Sequence, residues 1–321
     1  MRTLELMDAC TSVTAAPGLE QEGMSTARRR SWVSRTRILF LPFVLLLIWA
    51  GSSPVVMPAG LGSHQDSLLK VVEVARADAT KMQSAYKTIM KKVDSAPNDI
   101  SVKLAAANAA VSFMRISSNA NSLVCRLDPG NKPRIEKQDT PANMKLWATW
   151  SDLAQDQLGQ VQASLGEEAF QKDPAAFILS VETTMYATAS KGIVSAVMSG
   201  KAVSFLNAVS KLEKMHPKFD GNIYCIYWGA YYLAAPWPVN NLRKARSYFE
   251  LAVKAAPASR RNQYWAGVGA FMQGDFEAAR IYMQRALEEK CASPSEQDIC
   301  DFLTREAEHT LDLISGIQAR P

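Results

Sequence analysis

Three residues near the C-terminus, Ala245, Phe249 and Ala252, are answered 34 positions later by Ala279, Met283 and Ala286. The spacing inside each triplet, four and then three, places its side chains on one face of a helix. A small residue, a bulky one and a small one on the same face let a second helix approach closely. A unit of this period is one helical hairpin, which cannot bury its apolar face alone and has to stack on a copy of itself. This echo restricts the chain to an all-α stack more strongly than any other feature does.

The flanking residues extend the pattern. Gly229 and Tyr232 precede Ala245, and Pro257 follows Ala252 by five residues. In the next copy Gly267 and Gly274 hold the matching places, and Gly274-Asp275 makes the turn. This is the signature of a tetratricopeptide repeat. Thirteen residues separate Tyr232 from Ala245 where the regular spacing is nine, and the excess falls in a turn holding Pro236, Trp237 and Pro238. Cys291 replaces the second closing proline. Ser293-Pro294-Ser295-Glu296 is a capping box with proline at the first helical position. The helix it opens runs to about residue 317 and turns Ile299, Leu303, Ala307, Leu311 and Ile314 inward, covering the last open face of the stack. No segment shows strand alternation. The expected fold is all-α: tetratricopeptide-like helical hairpins stacked into a bundle or short solenoid.

Upstream, residues 60–125 read as an N-terminal helical hairpin. Leu68, Val72, Ala75, Ala79, Met82, Tyr86, Ile89 and Val93 form one stripe, which predicts a single helix from about Asp66 to Ser95. Ala96-Pro97-Asn98 ends it. An alanine-rich helix follows from Asp99 to about Ser117. Residues 126–141 carry three prolines and read as a loop without regular structure. Residues 142–321 form the repeat-like helical region. Thr140 and Pro141 start a helix with Leu146, Trp150, Leu153 and Val161 on one side. Asp173-Pro174 starts another, running to about Met198. Gly200 punctuates, and a shorter helix ends near Met215.

Residues 1–59 form a leader. Arg28, Arg29, Arg30, Arg35 and Arg37 precede an apolar run from Ile38 to Ala50, and Met57-Pro58-Ala59 supplies small-residue character at its exit. This is the order of a secretory signal. Thirteen apolar residues fall short of the roughly 20 a membrane span needs. Two readings therefore stand: a cleaved signal, or an inner-membrane anchor extended over residues 38–58. Acidic residues before Met24 suit neither, so Met24 is the expected start. Either reading places the protein in the periplasm or cell envelope.

Export permits disulfides. Cys291 and Cys300 flank a loop and a helix start and make one candidate bridge. The alternative is that these two, with Cys125 and Cys225, are reduced core residues.

Beyond the leader, 30 basic and 27 acidic residues are nearly balanced, and no basic run follows Arg37. Nothing favours nucleic-acid binding. The three histidines, His64, His216 and His309, are far apart and lack partners at metal-ligand spacing. No phosphate-binding glycine loop and no nucleophile elbow is present. The expectation is no enzyme, no metal and no cofactor. The candidate functional residues are aromatic. Tyr224, Tyr227, Trp228, Tyr231, Tyr232 and Trp237 crowd fourteen positions, and Trp147 and Trp150 lie one turn apart. Such side chains suit a ligand or partner surface, though repeat signatures also use aromatics for packing alone.

Several stretches are more particular than the generic repeat: Pro217-Lys218-Phe219-Asp220-Gly221, Trp228-Gly229-Ala230-Tyr231-Tyr232, Ala235-Pro236, Lys244-Ala245-Arg246 and Gly274-Asp275-Phe276. In these the chain resembles the T-component proteins that accompany tripartite periplasmic (TRAP) transporters. The resemblance implies a periplasmic helical bundle with a central pore or cleft. It would bind a small organic ligand or dock a solute-binding or transporter subunit. Membrane would be touched only through the N-terminal segment, if that segment stays uncleaved. The chain departs from that pattern in lacking a lipobox cysteine and in carrying Ala270 where the second repeat should be aromatic. The rival reading is a general scaffold assembling envelope proteins.

Overall fold

A computed structural model describes residue 68 and residues 70–192 and 201–318. The leader, including Met24 and the segment 38–58, lies outside the described residues, as does the expected punctuation at Gly200. Among the described residues no helix is long and apolar enough to cross a membrane.

The fold is all-α, built from helices that each pack on their neighbours in sequence. Helix α1 (Ala79–Ser95) and α2 (Ile100–Ser117) form the first hairpin. The sequence predicted one helix from about residue 66 to 95, but the backbone breaks between. Ala77 adopts the left-handed conformation (φ 62°). Asp78 then caps α1 by accepting the backbone N–H of Lys81. The apolar stripe crosses the break unharmed: Leu68, Val72, Ala75, Met82, Tyr86, Ile89 and Val93 are all buried. A stripe reports which face is covered, and a short capping aspartate decides whether the backbone is continuous.

The expected structureless loop at 126–141 is instead largely an antiparallel hairpin. Strand β1 (Val124–Asp128) pairs with β2 (Lys132–Glu136), with Cys125 opposite Ile135 and Arg126 opposite Arg134. The prolines do not prevent it. Pro129 enters the turn, where Gly130 (φ 89°) and Asn131 (φ 62°) accept positive φ. Pro133 lies in a two-stranded ribbon, where every strand is an edge and a missing N–H is tolerated. The ribbon leaves α2 and packs on the C-terminal helices: Leu123, Val124 and Cys125 are buried there. The Tyr264 hydroxyl donates to the Leu123 carbonyl (2.8 Å).

Helix α3 (Pro141–Leu165) begins at Thr140, whose hydroxyl accepts the N–H of Asn143. Its buried face is Trp147, Ser151, Ala154, Leu158 and Val161, rotated from the predicted set. Leu153 is exposed and Leu146 and Trp150 are half-buried. The short α4 (Glu167–Lys172) leads to α5 (Pro174–Ala189), capped by Asp173. Helix α6 (Lys201–Met215) follows.

Two closely matched hairpins come next: α7 (Ile223–Ala234) with α8 (Leu242–Ala255), and α9 (Arg260–Met272) with α10 (Phe276–Glu288). Ala245, Phe249, Ala252, Ala279, Met283 and Ala286 are all fully buried. Phe249 is wedged where no side chain fits on Gly229, and Met283 sits likewise over Gly267. The Pro257 carbonyl accepts from Gln263 (2.6 Å). The capping box at Ser293 and Glu296 opens the one-turn α11 (Pro294–Gln297), and α12 (Cys300–Gln318) closes the stack on α10.

Burial divides into two apolar clusters. The first takes residues from α1 to α6, and the second from β1, α8, α9, α10 and α12. Helix α7 serves both, giving Ile223 and Tyr227 to the first and Cys225 and Ile226 to the second.

Candidate functional site

The α7–α8 hairpin brings several predicted aromatics together and adds one the sequence reading passed over. With Gly229 turned under Phe249, the adjoining face of α7 presents Trp228, Tyr231 and Tyr232. Tyr248 joins them from α8, next to Phe249 and therefore on the neighbouring face. The rings of Trp228, Tyr232 and Tyr248 are nearly parallel. Trp228–Tyr232 and Tyr232–Tyr248 have centroids 6.2 and 6.0 Å apart with planes tilted 23° and 8°. Trp228–Tyr248 closes the triangle at 6.3 Å. Tyr231 stands edge-on to Trp228 and Tyr232. All four are half-buried.

Polar groups rim this face. The Trp228 indole N–H donates to Glu213 of α6 (3.0 Å). The Lys244 ammonium lies 4.2 Å above the Tyr232 ring, a cation–π contact. Burial, then the nearby Glu213 carboxylate, pushes the Tyr248 phenol up to about 12. Tyr224 is raised too, through burial and its hydrogen bond with Cys225. These phenols stay protonated and keep their donors.

The remaining predicted site residues divide. Tyr224 is half-buried between the two cores. Trp150 is half-buried, packed 4.2 Å from Phe113 and 4.9 Å from Tyr86. Trp147 and Tyr227 cannot line a surface. Trp147 is fully buried and gives its N–H to the Ser118 hydroxyl (2.8 Å). Tyr227 is buried with its hydroxyl on Glu182 (2.9 Å). Both were expected on a binding face because large amphipathic rings suit pockets, but here their polar tips serve the interior. Trp237 is 88% exposed on the α7–α8 turn.

A buried ionic junction is the feature that sequence reasoning missed. Arg115 of α2 forks onto Glu182 of α5 (Nε 3.1 Å, Nη2 2.5 Å) and reaches Asp298, between α11 and α12, with Nη1 (2.7 Å). Asp298 also accepts from Arg76 (2.9 Å), ahead of α1. Arg115, Glu182 and Asp298 are all buried. Burial alone would lower the Arg115 guanidinium, but the Glu182 and Asp298 carboxylates hold it well above its ordinary value. The signal was present: Glu182 is the single charged residue in the sixteen of α5. A second junction joins Arg261 of α9 to Asp220 (2.8 Å) and to Ser295 of α11 (2.9 Å).

A disulfide joins Cys291 to Cys300. Cys125 and Cys225 are buried thiols, pushed up by burial to about 12 and about 11. Among the described residues no group of three or more His, Cys, Asp or Glu side chains is placed to hold a metal ion. Glu213 and Glu306 are half-buried and engaged, Glu306 with Arg126 (3.2 Å). Compared with known proteins, the chain matches no family model and no curated protein.

Proposed function

We propose that this is a non-enzymatic helical-repeat binding protein whose working surface is the aromatic face of the α7–α8 hairpin. The observation that carries the reading is the Trp228–Tyr232–Tyr248 array, half-buried and rimmed by Lys244 and Glu213. A side chain placed only for packing would be sunk like Trp147. These rings keep part of their faces toward water. Such surfaces combine large contact area with small loss of side-chain freedom, which suits ligand and partner binding.

The finer reading rests on the resemblance set out from the sequence: an exported accessory of a TRAP transporter, binding a small organic ligand or docking the solute-binding or transporter subunit. The test is photo-crosslinking in the native cell, with a photoreactive residue at Trp237 and another replacing Tyr231, followed by mass spectrometry. Capture of a solute-binding or transporter subunit, or of a small molecule lost in Y232A, is the expected result. Capture of assorted envelope proteins at Trp237 alone would favour the scaffold reading. No capture dependent on Tyr232 would remove the proposed surface.

A further inference from the structure

We infer that the Cys291–Cys300 disulfide is redox-active: a dithiol reductant attacks Cys291, Cys300 leaves, and the change opens a clasp between the two ends of the helical stack.

The two sulfurs have unequal surroundings. Cys300 is the first residue of the nineteen-residue α12, at the positive end of its dipole. Its Sγ lies 3.3 Å from Nη1 of Arg260. Arg260 is otherwise engaged only by neutral acceptors: the carbonyls of Glu289 (2.8 Å) and Leu287 (3.3 Å) and the hydroxyl of Thr304 (2.6 Å). Among the described residues no carboxylate pairs with it, so its charge is available to a thiolate at Cys300. Cys291 lies in the irregular link between α10 and α11. A thiolate stabilised by a helix N-terminus and a guanidinium is a good leaving group, and the exchange rate rises as the leaving thiol becomes more acidic. Both cysteines are half-exposed, within reach of a reductant.

The exchange balances as follows. A thiolate of the dithiol attacks Cys291 Sγ, the Cys291–Cys300 bond breaks, and its electron pair leaves on Cys300. The second thiol of the reductant, once deprotonated, attacks its own sulfur in the mixed disulfide and expels Cys291 as a thiolate. The protein gains two electrons and takes up protons as its thiolates titrate, and the reductant closes to a disulfide.

The ten residues closed by this bond hold distant parts of the chain. Asp298 binds Arg76 and Arg115. Ser295 donates to Asp220 (2.7 Å) and accepts from Arg261. Glu296 accepts from Ser259 and from the backbone of Ala292 (2.9 Å). The loop thus ties the segment ahead of α1, α2, the turn before α7 and the start of α9 to one another. Opening the ring releases the constraint that holds Asp298 and Glu296 at their partners.

The test uses the whole protein. After reduction, limited alkylation at neutral pH should modify Cys300 about fivefold faster than Cys291. Dithiothreitol should reduce Arg260→Gln about fivefold more slowly than the unaltered protein. On reduction, hydrogen exchange should accelerate in α1 and α2, far from the disulfide in sequence. Equal alkylation of the two cysteines, an unchanged reduction rate in R260Q, or unaltered exchange in α1 and α2 would each overturn the inference. The alkylation and exchange readouts need no variant, so they stand even if R260Q folds poorly.

Discussion

The ring of Phe249 occupies the space that a side chain on Gly229 would need: a Cβ there would lie 2.2 Å from Phe249 Cε1. On the far side a Cβ on Gly269 would meet Cδ2 of the same ring at 2.9 Å. One aromatic is therefore clamped between glycines of α7 and α9, and it joins two hairpins into one stack. The second copy repeats only one side of this, with Met283 lying over Gly267.

The two copies should respond differently to the same change. Gly229→Ala forces a methyl into a rigid ring that Gly269 prevents from retreating, and should destabilise by about 3 kcal/mol. Gly267→Ala meets first the terminal methyl of Met283, which can swing aside, and alanine gains about 1 kcal/mol of helix propensity. Its net effect should be under about 1 kcal/mol. Urea midpoints of the two variants check the order, and equal losses would contradict the clamp.

The buried junction makes a second contrast. Arg115→Met leaves Glu182 and Asp298 buried without their shared cation and should destabilise by about 3–5 kcal/mol. Glu182→Gln keeps an acceptor for Tyr227 and leaves Arg115 paired with Asp298, so it should lose clearly less. Denaturant unfolding of both variants decides it, and a mild R115M would mean that water already shares the site.

The all-α fold was legible because burial of a helical face leaves a period in the sequence, and Ala245, Phe249 and Ala252 and their echo carry that period. The ribbon at 124–136 was not legible. Its strands are five residues each and half-exposed, its prolines read as breakers, and its partners Tyr264 and Glu306 lie far along the chain. Pattern also reported poorly on which aromatics face water. Trp147 and Trp150 lie about 60° apart around one helix and Tyr227 and Trp228 about 100° apart around another, and only the packed neighbours decide which is sunk. Tyr248 was hidden beside Phe249 for the same reason. Arg115 and Asp298 meet across 183 residues, a pairing no local pattern encodes.

Trp147 and Trp237 offer a direct measure of that distinction. Trp147→Phe removes the donor to Ser118 and leaves a void in a closed core, and should destabilise by about 2–4 kcal/mol. Trp237→Ala touches an exposed ring and should stay within about 0.5 kcal/mol. Thermal unfolding reads both. A large loss in W237A would show that the α7–α8 turn is packed in solution and would remove it as a docking surface.

Asp220 should impose a pH dependence on the second junction. Burial pushes its carboxyl up, but the charge of Arg261 and the hydrogen bonds from Arg261 and Ser295 outweigh that and hold it below its ordinary value of 3.8. A carboxyl whose folded value lies below its unfolded one binds protons more readily when unfolded. Its contribution is therefore complete above about pH 4 and is lost as pH falls through the folded value. Asp220→Asn should lower stability at pH 7, and the gap from the unaltered protein should narrow as pH drops below about 4. Guanidinium unfolding at several pH values, with the Cys291–Cys300 bond intact in both proteins, measures the gap. A gap unchanged down to about pH 2.5 would mean that Arg261 holds its place through the Asp220 carbonyl, which it also contacts (2.6 Å), and not through the carboxylate.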